Sequence, residues 1–323
     1  MPLSEALWYV ADGVTEVRPV DLPETPAGAV RVAARFSGIS RGTERLVLKG
    51  RVPASEYQRM RCPHQDGEFP FPVKYGYALV GQIEDGPEAR IGEHVFLLHP
   101  HQTRMCVPLS AVHALPTGLP PRRAALAANM ETALNVCWDA TVSPGDRILI
   151  VGGGVLGLLI AGIAGRLPGA EVTVTDIDPA RQNIAGQLGV DFRSPAMTPD
   201  NYDIVIHTSG TAEGLRLALA AAGTEARVVE ASWYGDKKIS VPLGEAFHAR
   251  RLQLISSQVG VVPPDRRARW TNARRMSKAL ELLCDARFDA LITGEIAFAA
   301  AARELPKLLA DNSAGLMTVL TYS

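Results

Sequence analysis

From Arg147 onward the chain alternates short apolar runs with segments of helical period. Ile148–Val151 is an unbroken apolar run, short enough for a strand buried on both faces. Val155–Leu167 predicts a helix, with Ala161, Gly162, Ala164 and Gly165 suited to close packing. Glu171–Asp176 predicts a second strand, and Pro179–Leu188 a second helix with Asp178 as its N-cap. Asp203–Ser209 is a third strand and Ala212–Ala222 a third helix; Ala226–Ser232 and Leu252–Ser257 are further strands. This rhythm predicts an α/β fold with a doubly wound parallel sheet. A long amphipathic helix is expected over Arg267–Cys284, another over Ala299–Leu309, and a final strand over Leu316–Leu320.

The first 118 residues have a different pattern. Ala29–Phe36 alternates apolar and polar positions, and Ala78–Glu84 and His94–Leu98 are short strands punctuated by Pro and Gly. A small β-barrel-like domain is expected there. Pro116–Pro121 is a linker, and a helix should run from Arg122 to Ala140. A length of 323 residues exceeds what one core usually supports, so two domains are expected. A net charge of −1 gives no nucleic-acid signal. Apolar runs end well before about 18 residues, so no membrane span is expected. The N-terminus lacks the features of a signal peptide, and a cytoplasmic location follows by default. Cys62, Cys106, Cys137 and Cys284 have no metal-binding or disulfide spacing and are expected to be buried free thiols.

The junction between the first apolar run and its helix is Gly152-Gly-Gly154-Val155-Leu156-Gly157, a G-x-G-x-x-G turn between strand and helix. Gly152 permits the tight turn, Gly154 lets backbone approach a pyrophosphate, and Gly157 lets helix and strand touch. The helix start at Val155 and Leu156 offers free amides to phosphate. Asp176, 19 residues after Gly157, can accept both hydroxyls of an adenosine ribose. NAD is therefore the expected cofactor. Arg181 lies near Asp176 and keeps NADP open. Thr208, Ser209, Ser257 and Gln258 stand at strand ends, where ligands bind in open sheets.

A β-rich domain followed by this dinucleotide unit and a helical and β tail resembles the medium-chain dehydrogenase/reductase superfamily over essentially the whole chain. Phe36-Ser-Gly-Ile-Ser-Arg-Gly-Thr-Glu44 looks most like the branch that includes bacteriochlorophyllide a dehydrogenase. The resemblance implies a GroES-like catalytic domain over residues 1–118, completed by 264–323, and a Rossmann domain over 119–263. It also implies a homodimer through the Rossmann edge strand, with a small-molecule substrate and no nucleic-acid or membrane partner. Zinc-dependent relatives place a cysteine and a histidine ligand where this chain has Ser40 and Tyr77. Hydroxyls replace thiolate and imidazole poorly, so no zinc is expected. Glu131 stands where polyol dehydrogenases carry a glutamate ligand.

Tyr77, Ser40, Thr43 and Lys74 occupy the two turns that line the family's cleft and are the catalytic candidates, Tyr77 first, because a phenol can donate a proton to a substrate oxygen. Tyr77 could equally be an aromatic plug in the vacated metal cavity. Arg41, Glu44, Glu131 and Gln258 are candidate substrate contacts. His99-Pro-His101 is expected to be a loop contact, and the arginine run Arg266–Arg275 a solvated helix face. Three functions remain open. The first is a zinc-independent NAD(H) oxidoreductase for an alcohol/carbonyl pair, with a bulky planar substrate suggested by the branch. The second is an NADPH-dependent quinone or enone reductase. The third is a non-catalytic NAD-binding redox sensor or scaffold.

Overall fold

The computed structural model describes residues 4–311 and 313–323. The N-terminal half runs β1 (Ser4–Ala11), β2 (Val14–Val20), β3 (Ala29–Ile39), α1 (Arg41–Leu48), β4 (Asp66–Gly67), β5 (Val73–Lys74), β6 (Leu79–Asp85), β7 (His94–Leu97), β8 (Arg104–Pro108) and β9 (His113–Ala114). Helices α2 (Pro121–Ala124) and α3 (Ala127–Ala140) lead on to β10 (Arg147–Val151), α4 (Val155–Ala164), β11 (Glu171–Thr175), α5 (Arg181–Leu188) and β12 (Asp191–Arg193). Then come β13 (Tyr202–His207), α6 (Ala212–Ala221), β14 (Ala222–Glu230), β15 (Gln253–Ser256), α7 (Pro264–Arg267), α8 (Asn272–Leu282), β16 (Ile292–Ala297), α9 (Ala301–Leu308) and β17 (Met317–Thr321).

By contact the chain divides into two compact units. The first holds the described residues up to Ala128, Leu280–Cys284 and the described residues from Ile292 to the end; the second holds Asn129–Ala279 and Asp285–Leu291. In the first unit, a sheet ordered β16-β17-β3-β6-β7-β9, with β8 also on β3, accompanies a smaller sheet ordered β2-β1-β5-β4. Val30, Val32, Leu79, Ile83, Val95, Leu97, Met105 and Val107 form one core. The last strand, β17, lies antiparallel to β3, so the C-terminal segment completes this unit. The hairpin β1–β2 has no counterpart in the sequence reading.

In the second unit six parallel strands run in the order β12-β11-β10-β13-β14-β15. Leu149, Val151, Val205, Leu219 and Val228 pack into its core. This is the doubly wound sheet expected from the apolar rhythm, and the first unit is the expected GroES-like β-rich one. The edge strand β15 exposes Leu254.

Several elements differ from expectation. The helix over 122–140 is two, broken at Ala125 and Leu126, where a Cβ on Gly38 would lie 2.6 Å from the Ala125 carbonyl oxygen. The helix after Asp178 starts at Arg181, with Ala180 as its N-cap; Asp178 instead accepts the Ala180 amide at 3.0 Å and closes the turn before it. The stretch over 267–284 is also two helices. It restarts at Thr271, whose hydroxyl accepts the Arg274 amide at 3.1 Å. Among the cysteines, Cys62 and Cys137 are buried, but Cys106 is only partly covered and Cys284 is exposed. No helix among the described residues is long and apolar enough to cross a membrane.

The largest correction concerns Arg275. The charge run predicts a solvated basic face for it, yet it is 2% exposed. Its guanidinium donates to Glu131 Oε1 at 3.0 Å, Asn135 Oδ1 at 2.5 Å and the Val259 carbonyl at 2.6 Å. Burial pushes the Glu131 carboxyl up, and Arg275 pulls it back only in part. Arg275→Met would leave that carboxylate buried without its cation. The expected cost is about 3–5 kcal/mol, read as a lower urea midpoint, with most of the loss recovered in Arg275→Met/Glu131→Gln. A midpoint unchanged in the single variant would refute the pairing.

Candidate active site and cofactor cradle

In the first unit the site is organised around Glu44. Expected to be a substrate contact, it is instead fully enclosed. Its carboxylate accepts the Tyr9 hydroxyl at 2.6 Å, the Ser40 amide at 2.7 Å and His101 Nε2 at 3.1 Å. A carboxylate can only accept, so the imidazole proton lies on Nε2. Nδ1 of His101 then meets Ser37 Oγ at 2.7 Å, and Ser37 Oγ meets the Tyr322 hydroxyl at 2.8 Å. His101 is thus buried in a continuous chain, Tyr9–Glu44–His101–Ser37–Tyr322, and is no loop contact. Gly76 makes room for it: with φ of 128° and no side chain, it lets the backbone pass His101, whose Cδ2 would lie 2.8 Å from a Cβ there.

Helix α1 begins at Ser40, whose side chain makes no capping bond. Glu44 takes over the cap, holding the Ser40 amide while its own amide donates to the Ser40 carbonyl at 2.8 Å. Ser40's hydroxyl is left to its neighbour Tyr77. Tyr77 is half-buried, with its ring edge-on to Tyr75 at 6.1 Å. Burial pushes its phenol up to about 12; hydrogen bonding with Ser40 and Thr43 pulls the other way, and the Glu44 charge adds to the rise. The three expected residues Tyr77, Ser40 and Thr43 therefore lie together. Lys74 is directed elsewhere: buried, it is ion-paired with Asp66 and donates to Gln102 Oε1 at 3.0 Å. Arg41 clamps the C-terminal segment, donating to the carbonyls of Ala314 at 2.7 Å and Ser313 at 2.6 Å.

In the second unit the glycine turn has the expected local geometry. Gly152 has φ of 114°, and a Cβ there would lie 2.8 Å from both Ser209 N and Thr208 Oγ1. A Cβ on Gly157 would lie 1.9 Å from the Gly152 carbonyl oxygen, while one on Gly154 would meet nothing within 4 Å. The space over Gly154, at the start of α4 beside Val155 and Leu156, is open to a phosphate. Asp176 Oδ2 accepts the Gly153 amide at 2.6 Å and Oδ1 the Asp178 amide at 2.8 Å, fixing the carboxylate beside the turn. The Arg181 stem packs 3.1 Å from a Cβ on Gly153, and its head pairs with Asp178 at 3.1 Å. Thr208 Oγ1 donates to the Gly152 carbonyl at 2.9 Å, and Ser209 bonds His207. Ser257 donates to Asp139 at 2.6 Å, and Gln258 folds back to accept the Gly260 amide at 2.6 Å. Glu131 is held by Arg275.

No family model matches the chain. Among curated proteins, 2-dehydro-3-deoxy-L-galactonate 5-dehydrogenase of Pseudoalteromonas atlantica is 28% identical over 139 residues, 40% of this chain and 40% of that enzyme. L-threonine 3-dehydrogenase of Rhizobium rhizogenes is 29% identical over 119 residues, 37% of this chain and 34% of that enzyme. The chain thus matches well under half the length of these relatives. Among solved structures, L-idonate 5-dehydrogenase of Escherichia coli superposes with a TM-score of 0.79 at 15% identity, over 99% of this chain and 98% of that one. A zinc-binding dehydrogenase of Sinorhizobium meliloti bound to NADP gives 0.77 at 18%, over 99% and 100%. The chain therefore shares the fold of these dehydrogenases over almost its whole length. Within this fold, the hydroxyls of Ser40 and Tyr77 are a poor donor set for zinc. Among the described residues no group of three or more His, Cys, Asp or Glu is placed to hold a metal ion.

Sequence reasoning missed Tyr9, Ser37, His101 and Tyr322. A histidine between Pro100 and Gln102 carries no local sign that it closes a network. His99 next to it is also buried, stacked on His64 at 5.1 Å, with Nδ1 2.9 Å from the Pro100 carbonyl. Burial pushes its imidazole down to about 3. An unfolded histidine takes its proton near about 6.5. Between those values only the unfolded chain binds it, so stability falls as pH drops. His99→Gln should flatten the acid limb of stability against pH by up to about 1.4 kcal/mol per pH unit between about pH 3 and 6.5. Urea melts at several pH values check this; an unchanged slope would contradict it.

Proposed function

We propose that this protein is a nicotinamide-dependent oxidoreductase that uses NAD(H), acts on an alcohol/carbonyl pair and works without zinc. The observation that carries the cofactor reading is the open turn at Gly154 beside the fixed carboxylate of Asp176. The amides at the start of α4 would hold the pyrophosphate and Asp176 the adenosine ribose. The bound dinucleotide would supply or accept a hydride. Relatives named as dehydrogenases of sugar acids and amino acids support the reaction class.

Proton handling falls to this chain's own groups. A phenol held near 12 keeps its proton at neutral pH, so Tyr77 serves as an acid toward a substrate oxygen and favours reduction. Ser40 and Thr43 orient it and supply the relay. Burial and the nearby Glu44 charge keep the Tyr77 phenol protonated at neutral pH, the form that can donate but not take up a proton.

Two measurements test this reading. Fluorescence titration should show tighter binding of NADH than of NADPH, with the preference shifting toward NADPH in Asp176→Ser; equal affinities in the native protein would reject Asp176 as the determinant. Once a screen of carbonyls and enones finds a substrate, Tyr77→Phe should lower kcat by about 10²–10⁴-fold with little change in NADH affinity. Full turnover in that variant would make Tyr77 a packing residue.

A further inference from the structure

The ends of β13 and β14 in the second unit carry a hydrogen-bonded chain that nicotinamide binding leaves unexplained. The parallel register sets His207 directly opposite Glu230. His207 Nδ1 lies 2.7 Å from Glu230 Oε2, and its Nε2 lies 2.6 Å from Ser209 Oγ. The carboxylate is itself fixed, accepting the Ser232 amide at 2.8 Å and the Tyr234 hydroxyl at 2.8 Å. Burial works against the Glu230 charge, but His207 and the Ser232 amide outweigh it and hold the carboxyl below its usual range. An acceptor-only carboxylate puts the imidazole proton on Nδ1. Nε2 is then the acceptor for the serine proton. His207 is fully buried while Ser209 is exposed, so the chain runs from a buried acid through a buried base to a surface hydroxyl.

The neighbouring helix is shaped around that hydroxyl. A Cβ on Gly214 would lie 2.1 Å from Ser209 Oγ and 2.7 Å from His207 Nε2. Only glycine fits against the His207–Ser209 bond. Thr211 caps the helix by accepting the Gly214 amide at 3.0 Å and lies 3.0 Å from Ser209 Oγ. The first turn of α6, where amides lack intrahelical partners, is thus beside the hydroxyl.

We propose that Ser209, His207 and Glu230 form a second catalytic site, an acyl-accepting serine that hydrolyses small carboxylic esters without nicotinamide. Base, orienting acid and nucleophile stand in the relation that defines an activated serine. Ser209 Oγ bonds to the ester carbonyl carbon as its proton passes to His207 Nε2. The C–O bond to the alcohol breaks, and that proton leaves with the alkoxide. Water, deprotonated by the same nitrogen, adds to the acyl-serine and releases the acid, restoring the serine hydroxyl. With the Gly214 amide held by Thr211, the amides of Ala212 and Glu213 at the start of α6 are the donors assigned to the oxyanion.

The test uses the full-length protein with no nicotinamide present. A fluorophosphonate probe should form one adduct, mapped by peptide mass spectrometry to Ser209, and p-nitrophenyl acetate should be hydrolysed catalytically. Ser209→Ala should abolish the adduct, and His207→Gln should slow both reactions by at least about 10²-fold. If His207→Gln fails to fold, Glu230→Gln supplies the same comparison. A folded native protein with no adduct at Ser209, or an adduct rate unchanged in a folded His207→Gln or Glu230→Gln variant, overturns the proposal. Neither readout involves hydride transfer, so this outcome is separate from that of the redox reading.

Discussion

The buried carboxylate of Glu44 is the constraint on which the first unit's site depends. An ionised group taken out of water must be paired and hydrogen-bonded, or the fold pays several kcal/mol. Here the partners come from three places: Tyr9 on β1, Ser40 at the start of α1 and His101 in the segment between β7 and β8. Meeting that requirement fixes the turn at Ser40. It thereby sets the hydroxyls of Ser40 and Thr43 beside Tyr77. Gly76 belongs to the same constraint, because a side chain there would collide with His101.

The second unit repeats this logic with different chemistry. Arg275 and Glu131 neutralise each other in its interior, with Asn135 and the Val259 carbonyl taking the remaining guanidinium donors. His207 and Glu230 hold each other by a hydrogen bond at the ends of β13 and β14. Buried pairs of this kind add little net stability over apolar packing, but they are costly to break. Their effect is to hold particular side chains in single orientations. That matters where a carboxylate or imidazole has to face one atom.

The glycine turn proposed to hold the cofactor obeys a different constraint, close approach of backbone to backbone. Gly157 sits against the Gly152 carbonyl, and Gly152 against Thr208 and Ser209, so neither position has space for a Cβ. Gly154 differs, since nothing stands within 4 Å of where its Cβ would be. Two of the three glycines therefore serve the packing of the turn, and the third keeps a surface clear. Solved dehydrogenases at 15–18% identity share this architecture over almost their whole length. Apolar periodicity and turn glycines suffice for the fold while the polar residues of the site vary.

The sequence by itself determined the parallel sheet, the glycine turn and Asp176, because these depend on contacts over short distances in the chain. A strand–turn–helix–strand unit spans about thirty residues, and its apolar period and glycine spacing are local properties. Tertiary structure alone decided the polar pairings. His101 meets Glu44 across 57 positions, Ser37 meets Tyr322 across 285, and Arg275 meets Glu131 across 144. Hydropathy ranks a paired interior arginine with a solvated one, so the sequence alone places Arg275 on the surface. It likewise ranks Glu44 as a surface acid. His207 and Glu230 are neighbours only through the register of two parallel strands, which periodicity leaves open. What a charged side chain does is set by who surrounds it, and in this chain those surroundings come from segments far apart in sequence.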